Sequence, residues 1–257
     1  VNKFSHTTGI SNKIYKIFIW GHPLYFSLSP FFQEHACIFE EKKTLYSIFR
    51  GNPKDFRKIL LDKHCLGANV TVPNKVKSLN ICDELTETAK ICGSVNTIFK
   101  KDGKIIGDNT DGEGLFLWLK NSKKLQGLTI NILGNGGTAR SVAQTFSKNK
   151  YSVLIYGREE KGWEKKFGSF YNIDNWQDTV ATVNTLPFHK KSANVIDISY
   201  QFGKISDDAA GMLACQGWLA FQRWFDSEIS LKKFIEITFT HAQAQSNSFF
   251  IKHLRGL

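Results

Sequence analysis

The sequence predicts an α/β fold in two domains, one of them organised around the parallel sheet of a βαβ nucleotide-binding unit. Three observations carry this. The chain has 257 residues, long for one simple domain and enough for two modest ones. Its first portion alternates short strand-like runs with stretches of helical periodicity. Its middle holds a nearly continuous apolar run, Leu128 to Leu133, of the kind a buried parallel strand needs. That run passes at once into Gly134-Asn135-Gly136-Gly137-Thr138-Ala139-Arg140 and then into an amphipathic stretch to about Lys148.

Each element has its own signal. Ile14 to Trp20 reads as a strand, bounded by Gly21 and Pro23. Phe31 to Glu41 reads as a helix, with Ser29 as N-cap and Pro30 at the first helical position. Leu45 to Phe49 is a short strand, Pro53 to Leu61 a helix, and Ala68 to Val72 a strand stopped by Pro73. Lys75 to Asp83 and Glu84 to Cys92 read as helical. Val95 to Lys100 and Lys104 to Gly107 flank Asp102-Gly103, a hairpin signal. A helix opens at Gly112 and runs to Leu119. After the glycine-rich turn, Tyr151 to Tyr156, Val180 to Val183 and Asn194 to Ile198 are strand candidates. Gly211 to Phe225 is helical by pattern, and the tail from Ile229 to Leu257 has further helical character.

Composition narrows the class. Hydrophobic residues at 42% and charged residues at 22% imply a packed core and exclude wholesale disorder. With 20 glycines and 5 prolines the chain is neither collagen-like nor a linker. No apolar run approaches the roughly 18 residues that span a bilayer. The first ten residues lack an apolar stretch before a small-residue cleavage site, so a cytoplasmic protein is expected. Five scattered cysteines without CxxC spacing point to reduced, buried thiols, and no metal site is expected. The formal charge of +11 is spread over doublets such as Lys42-Lys43, Lys123-Lys124 and Lys190-Lys191. No arginine-rich arm concentrates it, which favours a solvated lysine surface over a nucleic-acid footprint.

The glycine-rich turn has the context that gives such strings meaning, following a strand and opening a helix. Gly134 permits the tight turn, Gly136 lets the backbone approach a pyrophosphate, and Ala139 takes the third small position where helix packs on strand. The amides at the helix start supply the anion site. An ordinary strand-to-helix turn is the competing reading. The end of the next strand, where cofactor choice is read, offers Gly157-Arg158-Glu159-Glu160. Arg158 suits a 2′-phosphate, the acidic pair a free 2′-hydroxyl.

Five strings in order resemble the shikimate dehydrogenase family. They are Gly21-His22-Pro23-Leu24-Tyr25-Phe26-Ser27-Leu28-Ser29-Pro30, Asn69-Val70-Thr71-Val72-Pro73-Asn74-Lys75, Gly93-Ser94-Val95-Asn96-Thr97, Gly107-Asp108-Asn109-Thr110-Asp111-Gly112, and the turn at Gly134. Gly211-Met212-Leu213 followed by Gln216 fits the family's late helix. The resemblance implies a substrate-binding domain over residues 1–108, completed by 211–257, and an NADP-binding Rossmann domain over 109–210. It implies reversible, NADPH-dependent reduction of 3-dehydroshikimate to shikimate by a monomer or homodimer. It assigns Lys75 and Asp111 as the catalytic pair, with Ser27, Ser29, Asn69, Thr71, Asn96, Tyr200 and Gln216 on substrate. Gly134, Asn135, Gly136, Gly137, Thr138, Ala139 and Arg158 fall to the cofactor. Hydride arriving at a carbonyl carbon leaves charge on oxygen, and an ammonium within reach stabilises it and delivers a proton. Ser29 serves equally as an N-cap, and Tyr200 as a core residue.

The pattern also departs from the family. Gln33 and Glu34 stand where His-Asn is usual, and Gly157 and Glu159 flank Arg158 in place of an amide and a hydroxyl. The stretches from Asn184 to Asp197 and from Tyr200 to Gly211 are short, which predicts a pruned second half of the Rossmann sheet. Two rivals follow: an NAD-using quinate/shikimate dehydrogenase, and a non-catalytic shikimate-binding relative with a degenerate cofactor domain.

Overall fold

The computed structural model describes residues 14–22, 24, 27–125, 127–188, 192–201 and 204–245. In chain order the first part contains β1 (Tyr15–Trp20), α1 (Ser29–Phe39), β2 (Thr44–Phe49), α2 (Pro53–Leu60), β3 (Cys65–Val70), β4 (Glu84–Leu85), α3 (Glu87–Cys92), β5 (Thr97–Lys101) and β6 (Lys104–Asp108). Then come α4 (Asp111–Asn121), β7 (Thr129–Leu133), α5 (Gly137–Lys148), β8 (Ser152–Gly157), β9 (Ser169–Asn172), β10 (Thr182–Asn184) and β11 (Val195–Asp197). A small ribbon, β12 (Tyr200–Gln201) and β13 (Lys204–Ile205), leads into α6 (Asp207–Phe225) and α7 (Leu231–Gln245).

Two sheets result. The first has strand order β2-β1-β3-β5-β6-β4 and is mixed, since β5 runs antiparallel to both of its neighbours. The second, β11-β10-β7-β8-β9, is parallel throughout. The β5–β6 hairpin turns at Asp102-Gly103 as the sequence predicts, both residues having positive φ. Trp20, Phe56, Leu60 and Ile98 fill the core on one face of the first sheet, while Ile17, Phe99, Ala220 and Trp224 close its other face against α6. The second sheet buries Ile130, Ile132, Val153 and Ile155 under Val142 and Phe146 of α5 and Leu115 of α4.

Several boundaries differ from the sequence reading, each for a local reason. Helix α1 begins one residue early: Leu28 is the N-cap, so Ser29 is helical and makes no capping bond. The stretch after Lys75 holds only a 3₁₀ turn at Lys77–Ile81, and β4 pairs with β6 before α3 starts at the Thr86 cap. Helix α6 starts four residues before Gly211, because Ser206 accepts the Ala209 amide and Asp207 and Asp208 occupy the first turn. Strand β9 carries no apolar alternation and goes unseen in the sequence. In the second half of the parallel sheet β10 and β11 have three residues each, and between β8 and β10 the described chain forms β9 and 3₁₀ turns at Glu164–Lys166 and Ile173–Asn175, with no α-helix. The end of the expected C-terminal helix, 246–257, lies outside the described residues, as do Pro23, Tyr25 and Phe26.

Candidate active site

The strings at Gly93 and Gly107 lock into one another. Gly93 ends α3 in the left-handed conformation, so that the chain turns directly into Ser94. Asn109 Nδ2 donates to the carbonyl and hydroxyl oxygens of Ser94, and the Thr110 amide donates to Asn96 Oδ1. This interlock delivers Asp111 to the start of α4, where the helix N-terminus favours a carboxylate.

Lys75 comes from the turn after β3 and meets Asp111 there. Its Nζ donates to Asp111 Oδ2 at 2.6 Å, and the two side chains are 19% and 7% exposed. Asn96 Nδ2 donates to the other carboxylate oxygen at 2.7 Å, and Thr138 Oγ1 lies 3.4 Å from Oδ2. The pair spans 36 residues of sequence, and Thr138 belongs to the glycine-rich turn.

These groups line a cleft of about 300 Å³. Ser27, Ser29, Asn69, Thr71, Asn96 and Gln216 all face it, together with Lys75, Asp111 and Thr138. Tyr200 lies in β12, and its side chain is outside the described residues. Asn69 is buried; its Oδ1 accepts from the Tyr46 hydroxyl at 2.7 Å and its Nδ2 has no partner among the described residues. Asn96 faces the cleft but has its amide committed to Thr110 and Asp111, so it positions the carboxylate. Gln33, where the resemblance leads one to expect histidine, is fully buried and donates to the Gly217 carbonyl of α6, tying α1 to α6.

The turn at Gly134 fits a bound dinucleotide. Gly134 has φ +100°, and nothing lies within 4 Å of a Cβ built on Gly136, so the approach to the α5 amides is open. Gly136 is the N-cap and makes no side-chain capping bond. Ala139 is fully buried against β7 and β8. Asn135 uses its side chain to fasten the next loop, donating to the Glu159 carbonyl and to buried Glu164. Beside them Arg158, Glu159 and Lys161 surround a second hollow of about 340 Å³.

Sequence reasoning misses three contributors. Ser141 of α5 accepts from the Gly112 amide and donates to Asn109 Oδ1, bracketing Asp111. Thr185, Leu186 and Pro187, beyond β10, form the far wall of the cleft. Glu164 belongs to no motif and gives no signal; Ser141 sits one turn beyond Gly137, and a search of that helix face for hydroxyls would find it.

The fold and site define a two-domain α/β protein of the dinucleotide-binding class. A family profile for the shikimate dehydrogenase substrate binding domain matches residues 19–98. The NADP(+) shikimate dehydrogenase of Clostridium perfringens is 36% identical over 182 residues, which make up 65% of this chain and 66% of that protein, just under two thirds. The enzyme of the same description from Helicobacter acinonychis is 28% identical over 256 residues, covering 85% of this chain and 95% of that one. The fold matches the crystal structure of shikimate 5-dehydrogenase from Thermus thermophilus in complex with NADP(H) and shikimate, with a TM-score of 0.75 at 22% identity over 88% of this chain and 99% of that one. The chain is thus similar to shikimate dehydrogenases in sequence and in fold.

Proposed function

We propose that this protein is an NADP-dependent shikimate dehydrogenase, interconverting 3-dehydroshikimate and shikimate. The observation that carries the reading is the Lys75–Asp111 ion pair, set in the wall of the cleft and touched by Thr138 of the glycine-rich turn. Bound NADPH supplies the hydride. Lys75 donates a hydrogen bond to the substrate oxygen, stabilises the charge developing on it and gives it a proton, becoming a neutral amine. Asp111 orients Lys75 and relays the replacing proton. Ser27, Ser29, Asn69, Thr71 and Gln216 supply the fixed donors and acceptors that a hydroxylated carboxylic acid requires, with Tyr200 completing the set. Asn96 acts through Asp111.

The cofactor reading rests on Gly134 to Ala139 for the pyrophosphate and on Arg158 for the 2′-phosphate. Glu160 is engaged by Lys165 at 3.5 Å, and the residues lining the hollow carry two cations, Arg158 and Lys161, against one carboxylate, Glu159. This favours NADP over NAD. The same reading takes residues 1–108 with 211–257 as the substrate-binding domain and 109–210 as the cofactor domain. It places the protein in the cytoplasm as a monomer or homodimer acting on a small molecule. Among the described residues no helix is long and apolar enough to cross a membrane.

The test is shikimate oxidation followed by absorbance of the reduced nicotinamide, with NADP and NAD in parallel. Turnover with a higher kcat/KM for NADP is expected. Shikimate binding by calorimetry without turnover and without nicotinamide binding would replace this reading with the non-catalytic one.

A further inference from the structure

Asn69 carries an amide whose two ends have different fates. The residue sits on β3 and is 4% exposed. Tyr46 sits on β2, two strands away across β1, in register with Ile17, while Asn69 is in register with Ile19. The Tyr46 hydroxyl reaches Asn69 Oδ1 at 2.7 Å. The other end, Nδ2, is buried without a partner among the described residues, and Asn69 lines the cleft.

The choice of end follows from counting hydrogens. A phenol has one hydrogen to give, and no other acceptor for that of Tyr46 is found among the described residues. Donation to Oδ1 satisfies it; in the flipped amide Nδ2 would donate to the phenol oxygen instead, and the buried phenol hydrogen would be left without an acceptor. Burial holds the phenol well above its ordinary pKa, so the hydrogen is present throughout the working pH range. The amide is thereby locked with its NH₂ toward the cleft. An unpartnered buried donor is costly unless a ligand completes it.

We propose that Tyr46 is a positioning residue that fixes Asn69 as a hydrogen-bond donor, so that the substrate must present an acceptor oxygen at that point of the cleft. This rests on the dehydrogenase reading above and specifies the polarity of one of its contacts. A substrate hydroxyl there accepts from Asn69 and gives its own hydrogen elsewhere; a carboxylate or ketone oxygen also fits. A donor-only group such as an ammonium does not.

Two variants test it in the full chain, with shikimate and NADP as probes. Tyr46→Phe frees the amide to flip, and the KM for shikimate should rise about tenfold, with kcat within threefold and the KM for NADP unchanged. A general loss of packing would instead lower kcat and disturb both KM values. Asn69→Asp keeps shape and the Tyr46 bond but replaces the donor by an acceptor. It should weaken shikimate binding at least as much as Asn69→Ala, whether or not the Tyr46 variant folds. A Y46F protein with shikimate KM within twofold of the parent overturns the proposal, as does an N69D protein that binds shikimate as the parent does. If the parent neither binds nor oxidises shikimate, the functional reading itself falls and takes this inference with it.

Discussion

Asp111 is bonded on both carboxylate oxygens, and the two bonds have different purposes. Asn96 holds Oδ1, while Lys75 takes Oδ2. Removing the ammonium by Lys75→Ala leaves Oδ2 with only the 3.4 Å hydroxyl contact of Thr138. Turnover should then fall by about 10²–10⁴. The carboxylate is also left short of a partner in a nearly buried position, which should cost about 1–3 kcal/mol. Turnover assays and denaturant unfolding check the two effects separately; a variant with parental kcat would remove Lys75 from the chemistry. On the proposed reading a second residue, Arg158, governs cofactor choice rather than rate. Arg158→Ala should raise the KM for NADP at least about tenfold, by loss of a charge-assisted bond, and leave that for NAD within about twofold. Equal effects on the two cofactors would place the guanidinium outside the 2′-phosphate site.

At the scale of elements, the site depends on how closely α4 and α6 cross. A Cβ on Gly114 would lie 2.7 Å from the backbone nitrogen and Cβ of Gln216. The crossing therefore brings Asp111, at the head of α4, and Gln216, in the middle of α6, to one cleft. Gly114→Ala must push the helices apart, at a cost of about 1–3 kcal/mol, and should lower kcat/KM for shikimate more than tenfold while barely moving NADP affinity. Calorimetric cofactor titration beside the shikimate assay decides it; unchanged kcat/KM would mean that the crossing does not set the geometry. The same scale marks what is legible in the sequence. The strings containing Asn69, Asn96 and Asp111 are visible because, taken in order, they resemble those of the shikimate dehydrogenase family, and the turn at Gly134 because it follows a strand and opens a helix. Strand β7 and α5 are visible because apolar periodicity and a glycine-rich turn coincide. The Ser141 bridge, the wall at Thr185–Pro187 and the buried Glu164 depend on contacts between segments distant in sequence, and nothing periodic announces them. Ser29 imitates a cap because Ser before Pro is a common start signal; here the helix has already begun.

For the whole molecule, the five cysteines report on the integrity of both sheets. Cys37, Cys65, Cys92 and Cys215 are buried, Cys82 is half-buried, and all five are free. Burial pushes Cys37 and Cys65 up to about 11, and Cys82, Cys92 and Cys215 up to about 12. In the unfolded chain these thiols ionise near their ordinary value of 9.0. A group that holds its proton more tightly when folded contributes fully below the unfolded value and loses that contribution as pH rises toward the folded one. Stability should therefore decline from about pH 9 upward, with Tyr46 acting in the same direction. Neutralising surface lysines relieves self-repulsion over the same range, so thiol chemistry is the cleaner measure. At about pH 8 the native thiolate fraction is lower than the unfolded one by about 10²–10³. Labelling by an aromatic disulfide reagent should accordingly be at least about a hundredfold slower in the native protein. On addition of denaturant all five sites should react together, because Cys37, Cys65, Cys82 and Cys92 line the first sheet and its helices while Cys215 lies in α6, which packs on both cores. Rapid native labelling at any of the five, or two separate denaturant transitions, would show that the sheets do not protect their cysteines as one unit.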